Sequence, residues 1–448
     1  MGRLFGTDGI RGIAGQKLTA QMAYRLGLAV ADVTDKKDGK RPWVIIGKDT
    51  RQSGDMLEAA IVSGLCAAGC DAMCIGVVPT PAVAYLIREL GADAGIMISA
   101  SHNKSEYNGL KVFSEKGYKL DDEKEYTVEE VILGNTEPAL CSGAGIGRVL
   151  ESGDAVRKYL DHVRAQLPNA AKKRRRILFD LANGSASATA RDIFVSNDTY
   201  EFDFIFDEPD GININEKCGS TELCALREAV LDGGYDLGVA FDGDADRCLC
   251  IDEKGNTVDG DKILSLFALD MKRAGTLKND TLVVTCLSNL GVYHMAEKNG
   301  IKIESTAVGD RFVLERMVEG GFCVGGEQSG HIILLDCATT GDGQMTAARI
   351  LDIFARTQDS ASEMFSVMTA LPQISVNVTA SDEQKKLIAT DAKLKDAIVR
   401  VEAKLAGRGR VLLRPSGTEA LIRIMLEGDD VEEIRALGEE LAQIVKEL

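Results

Sequence analysis

The sequence predicts an α/β protein built of three similar α/β domains with mixed sheets, followed by a smaller C-terminal α+β domain. Three observations predict it. Short β-branched runs alternate with amphipathic helical stretches, the pattern of layered α/β folds. Three of those runs end in a small, polar, glycine- or serine-rich loop. Past Leu371-Pro372 the pattern changes to strands set among charged helices. The 448 residues suit about three domains at roughly 150 residues each, with room for a fourth.

The elements follow in order. Thr19 opens a helix with Met22, Leu26, Ala29, Val30 and Val33 on one face. Trp43-Val-Ile-Ile-Gly47 reads as a buried strand. Gly95–Ser99 runs into Ala100-Ser-His-Asn103, Leu237–Phe241 into Asp242-Gly-Asp-Ala-Asp-Arg247, and Phe322–Val324 into Gly325-Gly-Glu-Gln-Ser-Gly-His331. Ligands of open α/β sheets sit outside the carboxyl ends of strands, so the three loops point to three units facing one cleft. Linkers are expected at Gly134–Gly147 and at Leu371-Pro372. The domains are therefore expected at 1–147, 148–252, 253–370 and 371–448. The last begins with a strand at Ile374–Val378 and continues with Arg410–Arg414, a polar loop and Leu421–Met425. A terminal helix then puts Val431, Ile434, Leu437, Leu441, Ile444 and Val445 on one face, and Asp430 and Glu433 have capping-box spacing.

Charge narrows the function. With 52 basic and 69 acidic residues the net charge is −17. Such a surface repels nucleic acid and anionic membrane, so neither is expected as a partner. An anionic substrate would need positive charge gathered in one cleft. The basic run Lys172-Lys-Arg-Arg-Arg176 precedes a strand at Ile177–Asp180 and reads as a solvated edge. The eleven cysteines form no C-x-x-C pair and read as buried small hydrophobes in a reducing cytosol. Glycine and Asp8 interrupt the N-terminus, which argues against a signal peptide. Pro79 and Pro81 break the most apolar stretch, Ala72–Ile87, which is too short to span a bilayer. A cytoplasmic protein is expected.

Four loops carry chemistry. In Asp242-Gly-Asp-Ala-Asp-Arg247 three carboxylates at alternate positions, separated by small residues, can converge on one hard cation such as Mg²⁺. A calcium EF-hand starts the same way, and Glu253 falls at its twelfth position. Arg247 takes the sixth, where that loop turns on glycine, and the flanks read as strands. A solvated acidic turn is the plain alternative. In Ser99-Ala-Ser-His-Asn103, Ser101 can carry a phosphoryl group that adds metal-binding oxygens. Sequence neighbours rarely form a Ser-His pair, so His102 is not read as its base, and an ordinary turn is the alternative. Arg414-Pro-Ser-Gly-Thr-Glu419, with Arg423 on the next strand, offers a phosphate cradle of donors or a plain turn. Glu327 and Ser329, on a glycine-held loop, suit vicinal sugar hydroxyls. His331 could titrate near neutrality or be structural.

Together and in this order the four loops resemble the α-D-phosphohexomutase superfamily over essentially the whole chain. Leu4-Phe-Gly-Thr-Asp-Gly-Ile-Arg-Gly12, Gly47-Lys-Asp-Thr-Arg51, Asn213-Ile-Asn215 with Cys218-Gly-Ser-Thr221, and Val308-Gly-Asp-Arg311 are similar too. The opening motif and Gln328 look like the branch that acts on glucosamine phosphate. The resemblance implies four domains around a central cleft and a phosphoserine at Ser101. It implies one Mg²⁺ per chain, held by Ser101, Asp242, Asp244 and Asp246. Arg247, Glu327 and Ser329 would contact the sugar phosphate. Arg414, Ser416, Gly417, Thr418 and Arg423 would hold its non-reacting phosphate. Arg11, Lys111 and His331 match positions tied to positioning and proton transfer. A homodimer is also implied. The expected reaction interconverts glucosamine 6-phosphate and glucosamine 1-phosphate through a bisphosphorylated sugar, feeding amino-sugar nucleotide and cell-wall precursor synthesis. The alternatives are a phosphomannomutase or phosphoglucomutase, a phosphatase, or a non-catalytic sugar-phosphate-binding protein. Lys104 replaces a proline usual in the serine loop, which bears on that loop's rigidity.

Overall fold

The computed structural model describes residues 4–6, 8–34, 40–197, 199–388, 390–415 and 420–448. Among them, contacts divide the chain into two compact units, Met1–Leu287 with Lys302–Ser366, and Ser288–Ile301 with Val367–Leu448.

The first unit holds three sheets. One contains β1 (Ile10–Ile13), β2 (Trp43–Lys48), β3 (Asp71–Val77), β4 (Ala94–Ile98), β5 (Tyr107–Ser114) and β6 (Val149–Leu150), in the order β1-β5-β4-β2-β3-β6. The next contains β7 (Arg176–Asp180), β8 (Glu201–Ile205), β9 (Leu237–Phe241), β10 (Cys248–Asp252) and β11 (Thr257–Val258), ordered β11-β10-β9-β7-β8. The third contains β12 (Thr281–Thr285), β13 (Lys302–Thr306), β14 (Val324–Gly326) and β15 (Ile332–Leu334), ordered β13-β12-β14-β15.

The three sheets repeat one plan. A central strand (β2, β7 or β12) pairs in parallel with the next strand on one side and with the third on the other. The third strand then turns back antiparallel into the fourth. Each of the three chemical loops is that last reversal: β4 to β5 carries Ser101, β9 to β10 the aspartates, and β14 to β15 Glu327. The mixed sheets of the expected fold class are therefore present, as are the three similar units expected from the strand-and-loop runs. The strands before the loops are apolar on both faces, and β4, β9 and β10 are buried throughout.

Some details differ from expectation. The third loop's strand is Val324–Gly326 rather than Phe322–Val324, because its glycines enter the ladder. A Cβ on Gly325 would stand 2.7 Å from Met317 Sδ and 2.9 Å from the Val283 carbonyl. The two-residue edge strands β6 and β11 lie just past residues 147 and 252, where no hydrophobic run announces them. The basic run is not wholly solvated. Arg175 is 1% exposed, lies over the Phe354 ring, and donates to the carbonyls of Phe354, Thr357 and Asp359. It thereby ends the helix Gly343–Ala355. All eleven cysteines are free thiols, but Cys141 and Cys224 are exposed and four others half-buried, so burial does not account for them all. Among the described residues no helix is long and apolar enough to cross a membrane.

The second unit has one antiparallel sheet, β16 (Gln373–Thr379), β17 (Gly409–Pro415) and β18 (Leu421–Gly428), ordered β16-β18-β17. The helices Ala392–Leu405 and Val431–Lys446 pack on it around Leu394, Val401, Ile424, Leu437 and Leu441. Asp430 caps the last helix through the Glu432 and Glu433 amides. The capping box is not closed, because Glu433 pairs with Arg408 at 3.2 Å instead. By contacts the segment Ser288–Ile301, which lies in the stretch expected as the third domain, groups with this unit. The Leu290 amide donates to Glu427 Oε2 at 3.0 Å, and Arg410 lies over the Tyr293 ring.

Candidate active site

The serine loop begins where buried β4 ends. Ser101 is 1% exposed and has φ 52°, a left-handed conformation that a residue with a Cβ adopts only when its surroundings hold it there. Its Oγ donates to Asp242 Oδ2 at 2.6 Å. His102 Nδ1 stands 3.2 Å from the same oxygen, so the chain does bring these sequence neighbours together, contrary to expectation. Burial first, then Arg247 and Arg11, push the His102 imidazole down to about 4. Arg51 Nη1 donates to the Lys104 carbonyl at 2.5 Å, which anchors the loop without a proline at 104.

The aspartate loop joins β9 to β10, and those strand flanks rule out the helices of an EF-hand. Asp242, Asp244 and Asp246 are buried, with one oxygen of each within 4.8 Å of the others. The backbone closes tightly here. A Cβ on Gly243 would meet the Ser101 carbonyl at 2.6 Å. The outer oxygens are occupied. Asp244 Oδ2 accepts from Thr80 Oγ1 and, at 2.9 Å, from Lys111 Nζ. Asp246 Oδ2 faces Lys111 at 3.4 Å and His331 Nδ1 at 3.6 Å. Asp244 Oδ1 and Asp246 Oδ1 are buried and accept no hydrogen bond. Such orphaned carboxylate oxygens are costly unless a cation meets them. The triad could therefore hold a metal ion, and its all-oxygen donor set suits a hard one.

Charges around the triad are layered. Burial, then Asp246 and Asp244, raise Asp242 well above the usual carboxylate range. Burial works the same way on Asp246, but Lys111 and His331 outweigh it and hold that group far below. Burial alone would depress Lys111, yet Asp244, Asp8 and Asp246 raise it well above an ordinary lysine. Lys111 thus sits as a buried cation among Asp8, Asp244 and Asp246. His331 is 4% exposed and takes the Gly341 amide on Nε2 at 3.0 Å, an arrangement of the neutral ring. Burial also favours neutrality, whereas Asp246, Asp310 and Glu327 pull its value up to about 9. A cation in the triad would cancel part of that pull. With Nε2 taking the Gly341 amide and Nδ1 3.6 Å from Asp246, His331 is placed beside that carboxylate.

Arg11 reaches Asn103 Oδ1 at 2.9 Å and pairs with Asp8. Arg247 donates its amide to Asp242 Oδ1 at 3.3 Å, and its side chain lies beside Asp246. The Glu327 loop docks on the aspartate loop through Cys248 N–H to the Gly330 carbonyl, and Arg247 bridges to His331. Glu327 Oε1 accepts from the Gly309 amide at 3.1 Å, and the buried Ser329 Oγ makes no hydrogen bond. In the second unit, Arg414 and Arg423 lie directly opposite each other on β17 and β18. Like charges so placed repel, and an anion between them would offset that. Ser416, Gly417 and Thr418 lie outside the described residues.

Several site residues carried no assigned role in the sequence. Asp8 pairs with Lys111 at 2.9 Å and with Lys119 at 2.8 Å, and Lys119 also meets Asp310 at 2.6 Å. Asp8, Asp49, Arg51, Asn215 and Asp310 all stand in the short motifs quoted above, which was their signal. Thr80 and Lys119 had none.

Comparisons with known proteins agree with this geometry. Four family descriptions match: phosphoglucomutase/phosphomannomutase alpha/beta/alpha domain I over residues 2–139, domain II over 157–255, domain III over 259–371, and the C-terminal domain over 376–444. A phosphoglucosamine mutase of Caldicellulosiruptor saccharolyticus is 48% identical over 449 residues, covering 100% of this chain and 99% of that one. One of Rhodococcus jostii is 48% identical over 446 residues, covering 99% of each. The structure of a phosphoglucomutase/phosphomannomutase family protein from Burkholderia thailandensis matches with a TM-score of 0.80 at 22% identity, over 98% of this chain and 97% of that one. Aspergillus fumigatus N-acetylphosphoglucosamine mutase, solved with GlcNAc-6P and magnesium, matches with 0.70 at 18% identity, over 99% and 95%. At such identities the solved structures speak for the fold alone.

Proposed function

This chain belongs to the phosphoglucomutase/phosphomannomutase family, and we propose that it interconverts glucosamine 6-phosphate and glucosamine 1-phosphate through a phosphorylated Ser101. The observation that carries the reading is the buried Ser101 Oγ at 2.6 Å from Asp242, inside a carboxylate triad with orphaned oxygens. The choice of glucosamine rests on 48% identity, over the full length, to proteins named phosphoglucosamine mutase.

Asp242, Asp244, Asp246 and a phosphate on Ser101 would hold Mg²⁺, which supplies neutralising charge to the transferring oxygens. The chain does the rest. Ser101 Oγ carries the phosphoryl group next to fixed cations. The 1- or 6-hydroxyl of the sugar attacks phosphorus, the bond to Oγ breaks, and the proton that the hydroxyl loses balances the one that the freed Oγ takes up. The bisphosphorylated sugar turns over and returns its other phosphate to Oγ. Lys111 holds Asp244 and Asp246 in place, and Arg11 and Arg247 offer positive charge beside the serine. Glu327 and Ser329 take sugar hydroxyls. Arg414, Ser416, Gly417, Thr418 and Arg423 hold whichever phosphate is not reacting, so one cradle serves both orientations. Local cations thus receive an anion despite the net charge of −17.

A coupled assay over glucosamine, glucose and mannose phosphates tests the reading, with isomer and free phosphate both measured. The expected outcome is the highest kcat/KM on glucosamine phosphate, with isomer far exceeding free phosphate. Preference for glucose or mannose would move the assignment to another branch, and release of phosphate without isomer would make the protein a phosphatase.

A further inference from the structure

Ser101 holds a left-handed backbone, and something must keep it there. The carbonyls of its loop converge on one buried guanidinium. Arg51, 2% exposed, donates from Nη2 to the Ser101 carbonyl at 2.9 Å and to the Asn103 carbonyl at 2.7 Å, and from Nη1 to the Lys104 carbonyl. Its Nε is seated on Asp49 Oδ2 at 2.9 Å. The same Asp49 oxygen accepts from Ser99 Oγ at 2.6 Å, and Ser99 Oγ in turn receives the Ser101 amide at 2.9 Å. Asp49 and Arg51 therefore grip Ser101 at both its amide and its carbonyl. A second grip comes from the neighbouring sheet's loop. Asn215 Nδ2 donates to the carbonyls of Ser101 and Asn103 at 2.9 and 3.1 Å.

We propose that Arg51, seated on Asp49 and joined by Asn215, is a positioning residue that fixes the backbone of the serine loop, so that Ser101 Oγ keeps its place against Asp242 in both directions of transfer. The proposal rests on Ser101 being the phosphoryl carrier. Arg51 acts through the carbonyls of Ser101, Asn103 and Lys104. Only a planar fork reaches three carbonyls and a carboxylate at once, and the point charge of a lysine cannot.

The test uses the full-length enzyme with Mg²⁺. Arg51→Lys keeps the charge on Asp49 and loses the fork. Its kcat is expected to fall about 100-fold, the cost of roughly 1 Å of misplacement, with KM within about threefold. Asn215→Gly keeps the left-handed backbone at 215 (φ 58°) and removes the second grip, and its kcat is expected to fall about tenfold. Arg51→Ala breaks a buried pair and should melt lower than wild type, yet it should regain turnover saturably with millimolar guanidinium and not with sodium, with no matching gain in melting temperature. Wild-type kcat in both Arg51→Lys and Asn215→Gly, with phosphate still on Ser101, would overturn the clamp and leave the carrier reading intact. A loss of activity that merely follows the melting temperature, without guanidinium rescue, would also overturn it, since Arg51 would then support only the fold. Wild-type turnover in Ser101→Ala would instead remove the carrier reading beneath it.

Discussion

Ser101, Asp242, Asp244 and Asp246 are each at most 4% exposed, in loops that three sheets and a buried arginine hold from every side. Arg414 and Arg423 are half-buried, on facing strands of a three-stranded sheet. The two regions manage charge differently. A buried charge must find its partner inside the protein, so the first region is a closed network of Lys111, Asp8, Lys119 and His331 around the carboxylates. A half-buried cation keeps part of its water, so less of its charge has to be met inside the protein. The first arrangement suits a reaction centre that must not move. The second suits a grip that releases and retakes a phosphate while the sugar turns over.

Asp246→Ala strikes the first region hardest. It removes one of the three carboxylates proposed to hold the metal and strips Lys111 and His331 of a partner. We expect more than about 1,000-fold loss of turnover and a stability loss of about 3–5 kcal/mol, typical of breaking a buried pair. Kinetics against added Mg²⁺ and denaturant melts measure both. A variant that stays active in a chelator would show that the triad does not serve the reaction. Arg414→Ala strikes the second region. KM should rise about 10- to 100-fold, the value of a charge-assisted hydrogen bond or two, with kcat and melting temperature nearly unchanged. An unaltered KM would remove Arg414 from phosphate binding and break the contrast. The smallest effect is on pH dependence. Burial pushes the Asp180 carboxyl up to about 7, against the Gly219 and Ala182 amides that favour its charged form. Its folded value lies above its unfolded one, so its contribution to stability is full near pH 4 and lost as pH rises through about 7. Asp180→Asn should therefore lose more melting temperature at pH 5 than at pH 8. Equal losses at both would show that this buried charge is better compensated than its surroundings suggest.

What the sequence discloses follows the same divide. Carboxylates at alternate positions among Gly243 and Ala245 announce convergence, because small residues leave the loop room to close. The three strand-and-loop units are legible too, since period and turn chemistry are local. Strand order is not local, and no spacing indicates that Lys119, just past β5, reaches Asp310, just past β13. Arg175 was misread for a related reason. A basic run looks solvated until a helix end 179 residues further along supplies carbonyls for it. Gly325 and Gly326 looked like loop and proved to be strand, because what they avoid is Met317, Val283 and the chain at His331 and Ile332. Arg51 stood in a motif with no visible task until its carbonyl partners came into view.

The central claim is that one phosphoryl group travels through Ser101. Intact-mass analysis and peptide mapping of wild type and Ser101→Ala, each incubated with Mg²⁺ and glucosamine 1,6-bisphosphate and then assayed for isomerisation, test it most directly. The account predicts one phosphate on Ser101 in the wild type, none in the variant, and a turnover loss of more than about 10,000-fold. A variant that isomerises glucosamine phosphate at the wild-type rate, or a wild type phosphorylated elsewhere, would contradict it.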